Sequence, residues 1–191
     1  MKTTDTRKKE ILESLRGGLV VSCQVQPEDP IYTDNMVVKM AEAASWAGAV
    51  GIRANTPEQI RQIKEAVHLP VIGLYKIWRE NTDVYITPTL EAAKAVWEAG
   101  AEIIAMDCTD RMTLEGTKAW ELLPKVKEAI PEAITFADVS NYEEAKRAAE
   151  LGADIVAPTL CGYTGYTADR PCPDYREFAR MCRDLGEDVH M

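Results

Sequence analysis

The sequence predicts an α/β protein of the (β/α)8 TIM-barrel type, with residues 1–191 forming one domain of about six βα units. Short, nearly continuous apolar runs alternate with helical segments, as is typical of parallel strands buried on both faces. The segment 91–107 (EAAKAVWEAGAEIIAMD) closely parallels the segment 143–159 (EEAKRAAELGADIVAPT), about 52 residues later. Such a repeat of βα units indicates a parallel sheet, either closed as a barrel or open and doubly wound. Neither a GxGxxG motif nor a P-loop follows the first strand, which favours the barrel.

The elements are predicted in a regular order along the chain. Strands are expected at the six apolar runs, residues 19–23, 50–53, 70–75, 102–106, 134–137 and 154–157. Helices are expected to begin at polar caps, namely Thr33 or Asp34 (running to Trp46), Thr56, Thr89, Gly116-Thr117, Ser140 and about Asp174 (running to about Leu185). Three helices are expected to end in a left-handed cap, at Gly48, Gly100 and Gly152.

The end of the sequence predicts an incomplete barrel. After the sixth helix the chain continues as EDVHM (187–191), which holds at most the start of a seventh strand. Because a closed barrel of this type has eight strands, the last two are expected to be missing from this chain. Open sheet edges favour aggregation or exchange between subunits, and a homodimer is therefore one expectation.

Composition excludes several classes of function. The net charge of −9 argues against nucleic acid as a partner. No apolar stretch approaches the roughly 20 residues of a membrane-spanning helix, and no signal peptide precedes the first strand, so the cytoplasm is expected. The five cysteines form no CxxC pair, and with only two histidines there is no recognisable zinc spacing.

A polar residue follows each predicted strand, at the edge where such barrels carry their active sites. These residues are Gln24, Arg53, Lys76, Asp107, Asp138 and Thr159. Polar groups that converge in this way are typical of a site for a small polar ligand. Since His68 and His190 fall outside this register, Lys76 is the candidate base, with Asp107 and Asp138 as acid, orienting group or hydroxyl ligand. Desolvation or the neighbouring Arg53 would lower the pKa of the lysine and suit it to this role.

Two longer loops are expected at the same edge of the sheet. Residues 77–88 (IWRENTDVYITP) and 161–173 (CGYTGYTADRPCP) each follow a predicted strand. Long loops in compact domains are often functional, so each is interpreted as either a lid or a solvated connection.

Motifs at these strand ends carry a family resemblance that covers essentially the whole chain. In order, they are VVSCQ (20–24), GIRAN (51–55), PVIGLYK (70–76), VYITPTL (84–90), AMDCT (105–109), FADVSN (136–141) and PTLCGYTGYT (158–167). Together they resemble the N-acetylmannosamine-6-phosphate 2-epimerases of bacterial sialic acid and amino-sugar catabolism.

The resemblance implies an isomerase that interconverts N-acetylmannosamine 6-phosphate and N-acetylglucosamine 6-phosphate by proton transfer at C2. Lys76 is then the catalytic base, and Gln24, Arg53 and Asp138 bind sugar hydroxyls, the N-acetyl group or the developing oxyanion. Asp107 and Thr159 complete the candidate substrate-binding set. Neither a metal nor an organic cofactor is implied. The family pattern continues with a strand that carries a glutamate and with a Gly-Gly strand end that helps to hold the phosphate, both beyond Met191.

Two other interpretations stay open at this point. Lys76 is also suited to be the Schiff-base lysine of an aldolase-type barrel, because barrel lysines form imines with carbonyl substrates. Alternatively, the chain is a catalytically inactive remnant that binds sugar phosphate.

Overall fold

The computed structural model describes residues 4–186 and 189–191, and it has a curled sheet of parallel strands flanked by helices. Neighbouring strands follow in sequence order from β1 to β6. This sequential order confirms the predicted barrel type, because a doubly wound sheet reverses its strand order. The elements are α1 Thr4–Leu15, β1 Val20–Cys23, α2 Met36–Trp46, β2 Gly51–Asn55, α3 Pro57–Ala66, β3 Val71–Leu74, α4 Leu90–Glu98, β4 Ile103–Asp107, a 3₁₀ turn Ala119–Glu121, α5 Leu122–Ala129, β5 Ile134–Asp138, α6 Tyr142–Glu150, β6 Ile155–Ala157 and α7 Tyr175–Leu185.

Three of the six expected helix starts lie where the capping pattern predicts them, and α6 begins one residue later than expected, with Asn141 rather than Ser140 as its cap. The side chains of Thr56, Thr89 and Asp174 accept backbone N–H groups of the first helical turn. The expected cap at Thr33 or Asp34 is wrong, because a backbone turn moves the first residue of α2 to Met36. The expected start at 116–117 is also wrong, because Thr113 and Thr117 hydrogen-bond to each other and hold that segment in a turn.

Helix α1 was not predicted, since half of its sequence TDTRKKEILESL is charged and it carries few apolar residues. Its Ile11, Leu12 and Leu15 pack against the side chains that fill the inside of the sheet. Because α1 leads directly into the start of β1, this packing covers the N-terminal end of the barrel interior. The opposite end, where the strands finish, is left for the site.

The core has two layers. The larger cluster lies between the sheet and the helices, whereas the smaller one fills the inside of the curl with residues such as Leu74, Ile103 and Phe136. Gly73 allows the close approach of α4 to β3. A Cβ atom at this position would lie 2.7 Å from side-chain carbons of Val96 and Ala101.

In both halves of the sequence repeat, a carboxylate just before a strand accepts a backbone N–H of the preceding strand. Glu102, just before β4, accepts the backbone N–H of Val71 at 3.0 Å. Asp154 stands 52 residues later, just before β6, and accepts the N–H of Thr135 at 2.8 Å. Each carboxylate therefore ties the beginning of its own strand to the strand before it.

The sheet continues beyond β6 with the start of another strand, as predicted. His190 pairs in parallel with Ile155 and exchanges backbone hydrogen bonds with Asp154 (3.1 Å) and Val156 (2.9 Å). Glu187 and Asp188 of the predicted run lie outside the described residues. A cavity of about 610 Å³ lies inside the curl, and residues of α1, β1, β6 and the C-terminal strand start contribute to its wall. Within residues 4–186 and 189–191, no helix combines the length and apolarity needed to cross a bilayer.

Candidate active site

The strand register directs one set of side chains towards the inside of the curl. Arg53 pairs with Ser22 and Ile72, while Asp107 pairs with Asp138. Because parallel strands in register point neighbouring side chains to the same face, these residues share the interior. Arg53 was expected to end its strand, and this is wrong, because β2 runs on to Asn55. The prediction ended the strand at Arg53 because a charged residue there interrupts the apolar run.

Three of the predicted site residues bond to one another across the interior. Arg53 donates through one nitrogen, Nη2, to both carboxylate oxygens of Asp138, at 3.0 and 2.8 Å. The hydroxyl of Thr159 donates to the same carboxylate. The Arg53 guanidinium lies 5.0 Å from the centroid of the Phe136 ring, which forms the floor beneath it. Since Asp138 is fully buried, this pair is shielded from solvent and electrostatically strong.

Lys76 stands beside this group, two residues after β3. Its backbone N–H donates to the buried Asn55 side chain at 2.9 Å, and its backbone pairs with Ile86. Burial lowers the pKa of the Lys76 amine, and the charge of Arg53 lowers it further, against a smaller upward influence of Asp138. A lysine with a depressed pKa is more often neutral near physiological pH, which is the form that a base requires.

The second half of the 77–88 loop is built into the sheet. Residues 85–87 lie between the ends of β3 and β4, where Ile77 donates to Tyr85, Thr87 to Tyr75, and Asp107 to Ile86 through backbone N–H groups. Thr87 is fully buried with φ of 46°, and its hydroxyl bridges Tyr75 N–H (3.1 Å) and Ala105 C=O (2.6 Å). The exposed Trp78 ring stacks on Tyr85 at a centroid distance of 3.8 Å. Residues 85–87 of this loop are therefore hydrogen-bonded at the edge of the sheet, and the part of the loop before them projects beyond it.

Asp107 turns towards its own loop. It accepts the N–H and hydroxyl of Thr109, at 2.9 and 2.6 Å, and pairs with the Arg111 guanidinium. Burial raises the pKa of Asp107, while Arg111 and Thr109 act in the opposite direction. The structure does not join this carboxylate to the Arg53–Asp138 pair by a hydrogen bond, so its predicted role in substrate binding stays a prediction.

Two buried polar atoms at the site lack a partner in the described part of the chain: Oε1 of Gln24 and Nη1 of Arg53. Gln24 follows β1 and donates through its amide nitrogen to Ser22 at 2.8 Å. Buried polar atoms are normally satisfied, and a free acceptor and a free donor are the groups that a polar ligand would engage. The two histidines lie elsewhere, His68 exposed before β3 and His190 beside the start of β6.

Sequence reasoning missed three residues that organise this end of the sheet: Asn55, Thr87 and Glu144. Asn55 ends the GIRAN motif and could have been found from the inward period of β2. Glu144 could have been recognised from its spacing, because it lies three residues after Asn141, the N-cap of α6, at the position that a capping-box glutamate occupies. Thr87 had no local signal. In the described ranges 4–186 and 189–191, no group of three or more His, Cys, Asp or Glu side chains is placed to hold a metal ion.

Comparisons with known proteins agree on one family. Residues 37–187 match the family model described as "Putative N-acetylmannosamine-6-phosphate epimerase". A Caldanaerobacter subterraneus protein is 43% identical over 94% of this chain and 76% of its own length, and a Listeria welshimeri protein is 42% identical over 90% and 72%. Both carry the name "Putative N-acetylmannosamine-6-phosphate 2-epimerase".

Solved structures show the same likeness. The N-acetylmannosamine-6-phosphate 2-epimerase from Clostridium perfringens superposes with a TM-score of 0.84 at 32% identity, over 91% of this chain and 75% of that one. The aldolase QR15 has a TM-score of 0.53 at 16% identity, over 74% of this chain and 66% of that one. At that identity the second likeness concerns the fold alone.

Proposed function

Because this chain belongs to the N-acetylmannosamine-6-phosphate epimerase family, we propose that it interconverts N-acetylmannosamine 6-phosphate and N-acetylglucosamine 6-phosphate. The family predicted from the strand-end motifs is confirmed by the family model and by relatives at 40–43% identity. The reaction is an isomerisation in which a proton is removed from C2 and returned to the opposite face. It belongs to the catabolism of amino sugars and sialic acid.

The observation that carries the residue assignment is the position of Lys76 beside the largely buried Arg53, where burial and that cation lower the pKa of its amine. In our proposal the neutral amine of Lys76 takes the C2 proton of the ring-opened sugar, the C–H electrons form a C1=C2 bond, and the carbonyl electrons move onto the C1 oxygen to give an enolate. When the carbonyl re-forms, a proton derived from solvent adds to the opposite face of C2. The free Nη1 of Arg53 is a donor suited to the enolate oxygen, since a fixed cation in a water-poor site stabilises developing negative charge. Asp138 holds Arg53 in place, and Gln24, Asp107 and Thr159 bind hydroxyl or N-acetyl groups.

The proposal is tested by exchange of the C2 proton in D₂O, followed by NMR, with N-acetylmannosamine 6-phosphate as substrate. Lys76→Ala should slow exchange at least 100-fold, since a positioned base contributes about 10²–10⁴. Lys94→Ala is the matched control, because Lys94 is exposed on α4. Exchange in Lys76→Ala at the rate of the Lys94 variant would exclude Lys76 as the base.

A second experiment separates this chemistry from that of a Schiff-base aldolase. A lysine with a depressed pKa also suits imine formation, so the wild-type protein should be treated with borohydride in the presence of the sugar phosphate. The epimerase should gain no mass at Lys76. A reduced adduct there would favour the aldolase-type reaction instead.

We also propose that the protein acts in the cytoplasm, without nucleic acid, and that two copies associate. The five cysteines are all free, which suits a reducing compartment, and the charge of −9 opposes binding to phosphate backbones. Association is supported by the edge of β1, which pairs only with β2 among the described residues. Light scattering should give twice the mass of one chain, and a monomeric mass at micromolar concentration would contradict the dimer.

A further inference from the structure

One fully buried carboxylate at the site end of the sheet has no role in the reaction proposed above. Glu144 lies in the first turn of α6 and has no exposed surface. Its Oε2 accepts the N–H of Ser140 at 2.7 Å and the Ser140 hydroxyl at 2.8 Å. Its Oε1 accepts the N–H of Asp110 at 2.9 Å and the hydroxyl of Tyr166. Four donors compensate for the loss of water that burying this side chain entails.

These donors come from three consecutive loops at the ends of β4, β5 and β6. Asp110 lies three residues after Asp107, and Ser140 lies two residues after Asp138. Tyr166 lies in the loop that begins with Thr159. Glu144 therefore binds all three loops that follow the strand ends where predicted site residues lie. These residues are Asp107 for β4, Asp138 for β5 and Thr159 for β6.

The loop after β6 reaches this carboxylate through a side chain, whereas each of the other two loops donates a backbone N–H group to it. Tyr166 is 49% exposed, yet its hydroxyl reaches inward to Glu144. Burial, reinforced by the hydrogen bond to Glu144, raises the pKa of Tyr166 to about 12, so its hydroxyl stays protonated and can donate throughout the neutral range. Behind it, the buried Thr167 accepts the N–H of Gly162 at 3.1 Å and bonds to the Thr164 hydroxyl at 2.6 Å. The loop is thus packed at its centre, and the Tyr166 phenol attaches it to α6, while the Thr164 hydroxyl donates to that of Ser140 at 3.5 Å.

We propose that Glu144 is a positioning residue that fixes these three loops around the substrate, with Tyr166 as its connection to the loop 161–173. The proposal rests on the epimerase function proposed above. Glu144 touches none of the reacting groups assigned there and acts through the loops that follow Asp107 and Asp138 and through the loop that carries Thr159. The loop after β6, interpreted from the sequence as either a lid or a solvated connection, is in this view a fixed wall of the site.

The test uses Tyr166→Phe, because replacing Glu144 would leave several buried donors unpaired and could prevent folding. Phenylalanine removes one hydroxyl and leaves the carboxylate with three donors. The matched control is Tyr163→Phe in the same loop, since Tyr163 is 69% exposed. Tyr166→Phe should speed hydrogen exchange at the amides of Gly162 and Thr167 about tenfold, while the control exchanges like the wild type.

The kinetic readout separates positioning from general stability. Tyr166→Phe should raise KM for the sugar phosphate about 5–10-fold and leave kcat within about twofold, because Lys76 and Arg53 are untouched. Glu144→Gln, if folded, should raise KM further, since an amide oxygen cannot replace two carboxylate oxygens. A Tyr166→Phe protein with wild-type KM and wild-type amide exchange would overturn the proposal.

Failure of the epimerase function would be visible separately. If the wild-type protein shows no exchange of the C2 proton, the epimerase function is refuted. The role of Glu144 is then judged from amide hydrogen exchange and from binding of N-acetylmannosamine 6-phosphate, measured by NMR titration. In that case faster exchange with weaker binding in Tyr166→Phe supports the positioning role. Unchanged exchange and binding refute it.

Discussion

Removal of the Arg53 charge should have two measurable effects, one on stability and one on the pH dependence of the reaction. The substitution Arg53→Met keeps an unbranched stem over Phe136 and removes the guanidinium that bonds to both oxygens of Asp138. Among the described residues, the Thr159 hydroxyl would then be the one group left that donates to the Asp138 carboxylate. The variant therefore leaves a buried carboxylate without its counter-charge.

The size of the stability effect follows from the burial of the pair. Breaking a buried ion pair by removing one partner costs about 3–5 kcal/mol. We expect the lower end, about 3 kcal/mol, because the Arg53 side chain is 14% exposed and Thr159 still donates to Asp138. For a domain of this size, that loss corresponds to a fall in Tm of about 6–12 °C.

Urea denaturation followed by circular dichroism measures the first effect. Arg61→Ala is the control, because Arg61 forms an exposed pair with Glu58 at 3.6 Å and should change stability by less than about 1 kcal/mol. The double variant Arg53→Met with Asp138→Asn should recover part of the loss, since no charge is then left buried. Equal stability of the Arg53 and Arg61 variants would refute the argument from burial.

The second effect concerns Lys76. Burial is the main cause of its lowered pKa, and Arg53 contributes next, whereas Asp138 acts in the opposite direction. Without Arg53 the downward influence of the cation is lost and that of Asp138 remains, so the pKa of Lys76 should rise. Because the neutral amine is the active form, the rising limb of C2 exchange should move to higher pH. A limb at the same or lower pH would show that another group controls it.

Two further predictions concern packing and alkaline pH. Gly73→Ala should lower the free energy of unfolding by about 1–3 kcal/mol, because the added methyl group would meet Val96 and Ala101. Urea denaturation measures this loss. The control is Gly165→Ala, because nothing lies within 4 Å of a Cβ atom at that position. The pKa of Tyr166 is raised to about 12, mainly by burial, so its contribution to stability is complete below about pH 10 and lost as the pH rises from about 10 to 12. Absorbance at 295 nm should show tyrosines that ionise late, because burial also raises the pKa of Tyr85, and the component near pH 12 should disappear in Tyr166→Phe.

The fold could be predicted because its signals are local. Apolar runs, threonine caps and glycines after helices each depend on a few neighbouring residues, and the repeat at 91–107 and 143–159 fixed the type of unit. Helix α1 was missed for the same reason. Its three apolar side chains become informative only when the interior of the sheet is present to receive them.

The sequence placed the candidate residues at one end of the sheet but did not predict the contacts between them. The register of polar residues put Lys76 and Asp138 at this end, but no pattern shows that Arg53 reaches Asp138, 85 residues away. Arg53 itself was misplaced, because a cation inside a barrel strand looks like the end of an apolar run. Glu144 shows the same limit, since its donors at Asp110 and Tyr166 are 34 and 22 residues distant in sequence.

The carboxylates at Glu102 and Asp154 bear on how a chain of this kind can arise. Each carboxylate lies in one βα unit and accepts a hydrogen bond from the strand of the preceding unit. A duplicated segment of 52 residues therefore contains the acceptor that joins it to the existing sheet. A new copy would need no adjustment in the strand that receives it, because it bonds to a backbone N–H that every residue except proline provides. Gene duplication could therefore have lengthened an ancestral sheet two strands at a time, with selection left to act on the loops.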